Sequence, residues 1–182
     1  MRRSLILHPA FQCPPVTTIG VDIHRPGPTS LTLRYALTGD VASLRIPPPA
    51  TPARTDDLWK HTCFEAFLRP AGGDAYYEFN FSPSGQWAAY RFDGYRQAMA
   101  DAAMIAPPTL ALRPTADGLT IDVALDLAGA QDLAGAVALG ATAVIETANG
   151  ATSYWALAHP PGRPDFHHAD GFALDLAATG PQ

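Results

Sequence analysis

Side chains suited to chemistry concentrate in two stretches. The first places Trp59, His61, Cys63, Glu65 and Phe67 at alternate positions of one run, with Tyr76, Glu78 and Asn80 at the same spacing in the next. Successive side chains of a strand point to opposite faces, so each set shares one side of its strand. If Thr62, Phe64, Ala66 and Leu68 pack inward, an indole, an imidazole and a carboxylate stand in a row outside, beside Glu78 and Asn80 where the strands are neighbours. Sugars suit such a surface, because their C–H faces stack on aromatic rings and their hydroxyls take carboxylate, amide or imidazole partners. The plainer alternative is that Trp59 covers a sheet edge while Glu65 pairs with an arginine in water.

The second stretch, residues 154–171, holds Trp155, His159, Arg163, Asp165, His167, His168 and Asp170 in a loop stiffened by Pro160, Pro161 and Pro164. Imidazole and carboxylate together can ligate a transition metal or haem iron, or act as acid and base, for instance Asp165 with His167 in a pocket lined by Trp155. His167 and His168 are adjacent, however, and point to opposite sides, while Asp165 and Asp170 suit local turns. The nucleophile elbow, the phosphate loop, the dinucleotide fingerprint and His-Glu-x-x-His do not occur. No catalytic residue and no metal-ligand set is assigned from the sequence.

The elements that must position these groups read as strands. Residues 16–23 are dense in β-branched side chains, and Leu31, Leu33, Tyr35 and Leu37 alternate with Thr32, Arg34 and Ala36. Residues 59–68, 75–81 and 86–92 form a meander, and 109–113, 119–125, 139–147, 153–157 and 172–176 add further strands. Residues 46–56 are a proline-rich surface loop, 94–104 a short helix or loop, and 126–138 permits one helical turn. Short strands separated by Gly and Pro turns predict an all-β fold. The expected form is a two-sheet antiparallel sandwich, jelly-roll or immunoglobulin-like, with at most one or two short helices.

Composition narrows the partners. The chain has 182 residues, 18 of them proline and 15 glycine, a net charge of −5 and 11 arginines to one lysine. That balance lacks the basic footprint of a nucleic-acid or anionic-membrane binder. Cys13 and Cys63 are too few for a disulfide framework and are expected as reduced thiols. The apolar run Leu5-Ile6-Leu7 stops at His8-Pro9, short of a signal-peptide core, and no stretch approaches a membrane span, so a cytoplasmic protein is expected. Neither side of the proline loop is long enough for its own core, so residues 1–182 are read as a single domain.

Four segments carry a family resemblance: Leu58-Trp59-Lys60-His61-Thr62-Cys63-Phe64-Glu65-Ala66-Phe67-Leu68, the run from Tyr76-Tyr77-Glu78-Phe79-Asn80-Phe81-Ser82-Pro83 to Tyr90, Tyr154-Trp155-Ala156-Leu157, and Gly162-Arg163-Pro164-Asp165-Phe166-His167. Together they resemble the DOMON-like group of β-sandwich domains, the superfamily that includes family 9 carbohydrate-binding modules, over roughly residues 5–176. The resemblance implies a ligand-binding sandwich whose relatives bind sugars or haem, and it does not imply catalysis. Family 9 modules clasp a terminal sugar between two tryptophans, which implies Trp59 and Trp155 as stacking surfaces with Glu65 and Asn80 as polar partners. Haem-binding relatives use a methionine and a histidine, a role that no particular residue here matches. The expectation is a non-catalytic domain for a saccharide or sugar-like metabolite, with ligand contacts from Trp59, His61, Glu65, Glu78, Asn80, Trp155, Arg163, Asp165 and His167. A haem- or metal-binding electron-transfer domain is the alternative.

Overall fold

A computed structural model describes residues 1–178 of the chain. Among them thirteen strands form: β1 (Arg2–Ser4), β2 (Ile6–Leu7), β3 (Val16–Gly27), β4 (Ser30–Gly39), β5 (Cys63–Pro70), β6 (Tyr76–Phe81), β7 (Trp87–Phe92), β8 (Ala100–Asp101), β9 (Thr109–Pro114), β10 (Gly118–Asp126), β11 (Val137–Glu146), β12 (Thr152–Ala156) and β13 (Leu174–Leu176). The smaller sheet runs β1-β3-β4-β10-β9. The larger runs β2-β12-β11-β5-β6-β7-β8, with β13 also paired to β11. All these pairings are antiparallel, so the all-β, two-sheet sandwich expected from the sequence is the fold observed. Among the described residues the helical content is confined to short 3-10 turns, the longest Gln131–Ala134.

Alternation builds the smaller sheet. Leu31, Leu33, Tyr35 and Leu37 of β4 lie opposite Leu125, Val123, Ile121 and Leu119 of β10, and opposite Ile23, Val21 and Ile19 of β3. All these side chains are buried in one core with Phe64, Ala66, Leu68, Tyr77, Phe79 and Phe81 of the larger sheet. The Tyr35 hydroxyl crosses the interface and donates to the backbone oxygen of Glu65 at 2.6 Å, so β5 is held at the residue whose side chain points the other way.

The larger sheet is buried on both faces. Beyond it a second apolar layer collects Cys63, Phe67, Tyr76, Ala88, Tyr90, Phe92 and Phe172 under the loops that close over the outer side. Polar spacing cannot mark an outer face that is itself covered. This is why Tyr76–Phe81 has every residue buried.

Two local expectations change. Residues 59–68 are not one strand: Leu58–Lys60 is a 3-10 turn and β5 begins at Cys63. The last strand begins at Leu174 rather than at 172, while residues 94–104 take the loop alternative, with β8 inside the loop at Ala100–Asp101. Cys13 and Cys63 are both buried and unpaired, in line with expectation.

One topological detail shapes the outer side. β12 and β13 pair with the same edge of β11, β12 along Thr142–Glu146 and β13 along Val137–Leu139. Leu157 still donates to the backbone oxygen of Ala141, and Leu174 already lies opposite Leu139. Residues 158–173 thus leave and rejoin the sheet two positions apart along β11, about 7 Å at strand rise. They form an Ω-like excursion folded over the outer face.

Candidate functional site

A cleft of about 450 Å³ opens on the outer face of the larger sheet. Its floor comes from β5 and β6. Phe67 lies opposite Glu78 and Glu65 opposite Asn80 across that pair, and Thr142 of β11 lies opposite Glu65. The walls are Trp59 from the 3-10 turn, Tyr154 from β12, Phe166 and His167 from the excursion, and Arg96 and Met99 from the loop after β7. Gly140 gives the excursion room, since a Cβ there would come within 2.7 Å of the Gly171 backbone oxygen.

Both floor carboxyls are nearly sealed, Glu65 being 2% and Glu78 5% exposed. The Thr142 hydroxyl donates to Glu65 Oε2 at 3.1 Å, and the Asn80 amide donates to Glu78 Oε1 at 2.8 Å. Glu65 Oε1 has no partner among the described residues. Burial and then the neighbouring Glu78 hold the Glu65 carboxyl well above the ordinary carboxylic range. Burial pushes Glu78 up to about 7, against the hydrogen bond from Asn80.

A hydrogen-bonded chain supports the wall. The Arg96 backbone N–H donates to the Tyr76 hydroxyl at 3.2 Å, and that hydroxyl lies 2.7 Å from His167 Nδ1. With Tyr76 donating, the imidazole proton sits on Nε2, which faces Glu78 Oε2 at 3.6 Å. Burial, then the positive charge of Arg96, lowers the His167 pKa to about 4, so the ring is neutral near pH 7. Asp165 joins the two loops by accepting from the Tyr95 hydroxyl at 2.5 Å, the Arg96 guanidinium at 2.8 Å and the His167 backbone N–H at 3.1 Å. Arg96 and Ala98 hold left-handed backbone at φ 54° and 51°. Such conformations cost about 1–3 kcal/mol each and persist where surrounding contacts impose them.

Of the residues expected from the sequence, Trp59, Glu65, Glu78 and His167 line the cleft. Asn80 and Asp165 act one step back, on Glu78 and on Arg96. His61 is turned outward and holds Glu146 through Nδ1 at 2.8 Å. Arg163 is exposed and lines none of the cleft.

Trp155 lies in the core between the sheets, its indole N–H donating to Ser153 Oγ at 3.1 Å. Trp155, expected as a stacking surface, therefore offers no face to the cleft, and its neighbour Tyr154 lines it. Tyr154 lies opposite Val144, which also lines the cleft, whereas Trp155 lies opposite the buried core residue Ala143. The Asp165–His167 acid–base pair in a pocket lined by Trp155 is not formed either, because Asp165 meets the His167 backbone and the ring turns to Tyr76 and Glu78. Sequence reasoning missed Tyr154, Phe166 and Arg96; the first two flank residues it chose, and Arg96 carries no local signal.

The haem- or metal-binding alternative asks for free histidine nitrogens. His167 and Met99 share the cleft, but His167 Nδ1 is held by Tyr76 and Nε2 faces Glu78. His159 Nε2 meets the Ile6 backbone oxygen at 2.8 Å. Among the described residues no group of three His, Cys, Asp or Glu side chains is placed to hold a metal ion. His167 and Met99, the histidine and methionine of the cleft, therefore do not form a haem ligand pair.

No protein-family model matches the chain, and no curated protein matches it in sequence. In fold it is similar to a crystal structure, at 2.70 Å resolution, of a protein from Bacteroides uniformis ATCC 8492 described as a "putative carbohydrate-binding protein". The TM-score is 0.63 at 15% sequence identity, over 94% of this chain and 83% of the other. At that identity the likeness is one of fold. Among the described residues no helix is long and apolar enough to cross a membrane.

Proposed function

We propose that this chain binds a small saccharide or sugar-like metabolite, without transforming it, in the cleft on the outer face of the larger sheet. The observation that carries the reading is the combination of aromatic walls, Trp59, Tyr154 and Phe166, with a floor of sealed carboxyls that includes the unpartnered Glu65 Oε1. Rings receive the apolar face of a pyranose, and few fixed polar groups orient its hydroxyls, the usual economy of small-ligand sites. The volume, about 450 Å³, lies within the range of small-ligand pockets. The carbohydrate-binding description of the Bacteroides uniformis fold neighbour supports the same reading. So does the resemblance of the central strands and of the 162–167 segment to DOMON-like domains, to which we assign the chain as a single ligand-binding domain.

Titration calorimetry against a panel of monosaccharides and disaccharides tests this. At least one should bind with a dissociation constant in the millimolar range or tighter, and Phe166→Ala should weaken it about tenfold with the fold intact by circular dichroism. Absence of heat for every sugar at millimolar concentration would overturn the reading.

A further inference from the structure

The cleft floor has acceptor oxygens without donors and no cation paired to them directly. Glu65 Oε1 has no donor, and Glu78 Oε2 meets only His167 Nε2, beyond hydrogen-bond distance at 3.6 Å. The cations nearby are already engaged: Asp165 holds the Arg96 guanidinium at 2.8 Å, and Asp57 holds the Lys60 ammonium at 2.6 Å. Around the pair stand Cys63 on β5, Tyr76 on β6, Tyr90 on β7 and His167 on the excursion. Burial keeps the thiol and both phenols in their neutral forms and also neutralises the imidazole. Two buried carboxyls thus share a space without an ion-pair partner and stay neutral by keeping their protons, so a cation brought between them would let them ionise.

Resting on the saccharide reading of this same cleft, we infer that the ligand carries a primary ammonium group, as an amino sugar does, seated against Glu65 and Glu78. An ammonium offers three N–H donors and a positive charge, which matches two acceptor oxygens left without a donor on two acids. A neutral hydroxyl would fill a donor position but carries no charge that could stabilise either acid in its ionised form. A quaternary ammonium has no N–H to give, and its bulk does not suit carboxyls as nearly sealed as these. The rings of Trp59, Tyr154 and Phe166 suit the remainder of such a ligand and favour a cation near their faces.

Proton balance follows from this. Near pH 6 the floor holds protonated carboxyl; when R–NH3⁺ binds, a carboxyl O–H bond breaks, the carboxylate pairs with the ammonium, and the proton leaves to solvent. Affinity for an amino sugar therefore rises from pH 5.5 to 7 with proton release, whereas affinity for a neutral sugar does not rise.

The test is titration calorimetry of the intact chain with D-glucosamine, D-glucose, N-acetyl-D-glucosamine and ethanolamine, each in two buffers of different ionisation enthalpy. Glucosamine binding at least about tenfold tighter than glucose, with buffer-dependent heat that reports proton release, supports the inference. Glu65→Gln and Glu78→Gln should each erase most of that preference, two variants guarding against one failing to fold. Equal affinity for glucose and glucosamine, or a preference that survives both substitutions, overturns the inference and leaves the saccharide reading standing. Binding of ethanolamine that depends on Glu65, with no sugar bound, supports the ammonium site and overturns the saccharide. No binding by any probe overturns both.

Discussion

Glu78 and His167 face each other with pKa values moved in opposite directions, and each contributes a slope of stability with pH. The folded-state pKa of Glu78 is about 7 against 4.5, so between those values the folded chain holds the extra proton and stability falls as pH rises. Glu65 is displaced in the same direction. His167, lowered to about 4 from 6.5, acts the other way, and its contribution is lost as pH falls through that window. The two slopes offset between about pH 4.5 and 6.5, leaving a decline above 6.5 that belongs to the carboxyls. Glu78→Gln should flatten that decline and gain between about 1 and 3 kcal/mol over the parent at pH 8, with little change at pH 5, measured by urea denaturation across pH. A variant that keeps the parent slope would show that Glu78 is ionised without cost. Two tryptophans separate binding from folding at the same scale. Trp155→Ala empties a core position and should cost about 3–5 kcal/mol, whereas Trp59→Ala should weaken ligand binding severalfold and cost much less stability.

At the scale of elements, the excursion over residues 158–173 lies against β11 where Gly140 leaves room. Gly140→Ala should push residues 166–172 away from the sheet, at a cost of about 1–3 kcal/mol and with weaker ligand binding, checked by denaturation and calorimetry on one sample. Unchanged values for both would mean that the excursion shifts without consequence. The sequence revealed the smaller sheet well, because β4 and β10 are wet on one side and alternate as such strands must. The larger sheet was legible in place but not in orientation, since β5 and β6 are covered on both faces and aromatic residues serve either side. Glu65, Glu78 and Asn80 could be grouped because they share strand parity, whereas Trp155 and Tyr154 could not be told apart without knowing which face of β12 closes the core. Arg96 was beyond reach: its left-handed backbone is imposed by Tyr76 and Asp165, which lie far from it in the chain.

Across the whole molecule the two outer faces differ in kind. The exposed face of the smaller sheet carries a rung of alternating charge in which Arg2 lies opposite Asp22, Asp22 opposite Arg34, and Arg34 opposite Asp122. Arg34 and Asp122 form a bidentate pair in solvent. Exposed pairs of this sort contribute little, so Arg34→Ala should change stability by less than about 1 kcal/mol and leave ligand affinity as it was. A loss of binding in that variant would place function on the wrong sheet.

The ends of the 158–173 excursion sit two positions apart on a strand that is paired above and below them, so the sheet does not depend on what lies between. Closure entropy grows only by about 0.6 kcal/mol for each doubling of loop length. Segments of other lengths and sequences could therefore be exchanged at these two anchor points, giving the cleft a new wall, and with it a new ligand, on an unaltered β-sandwich.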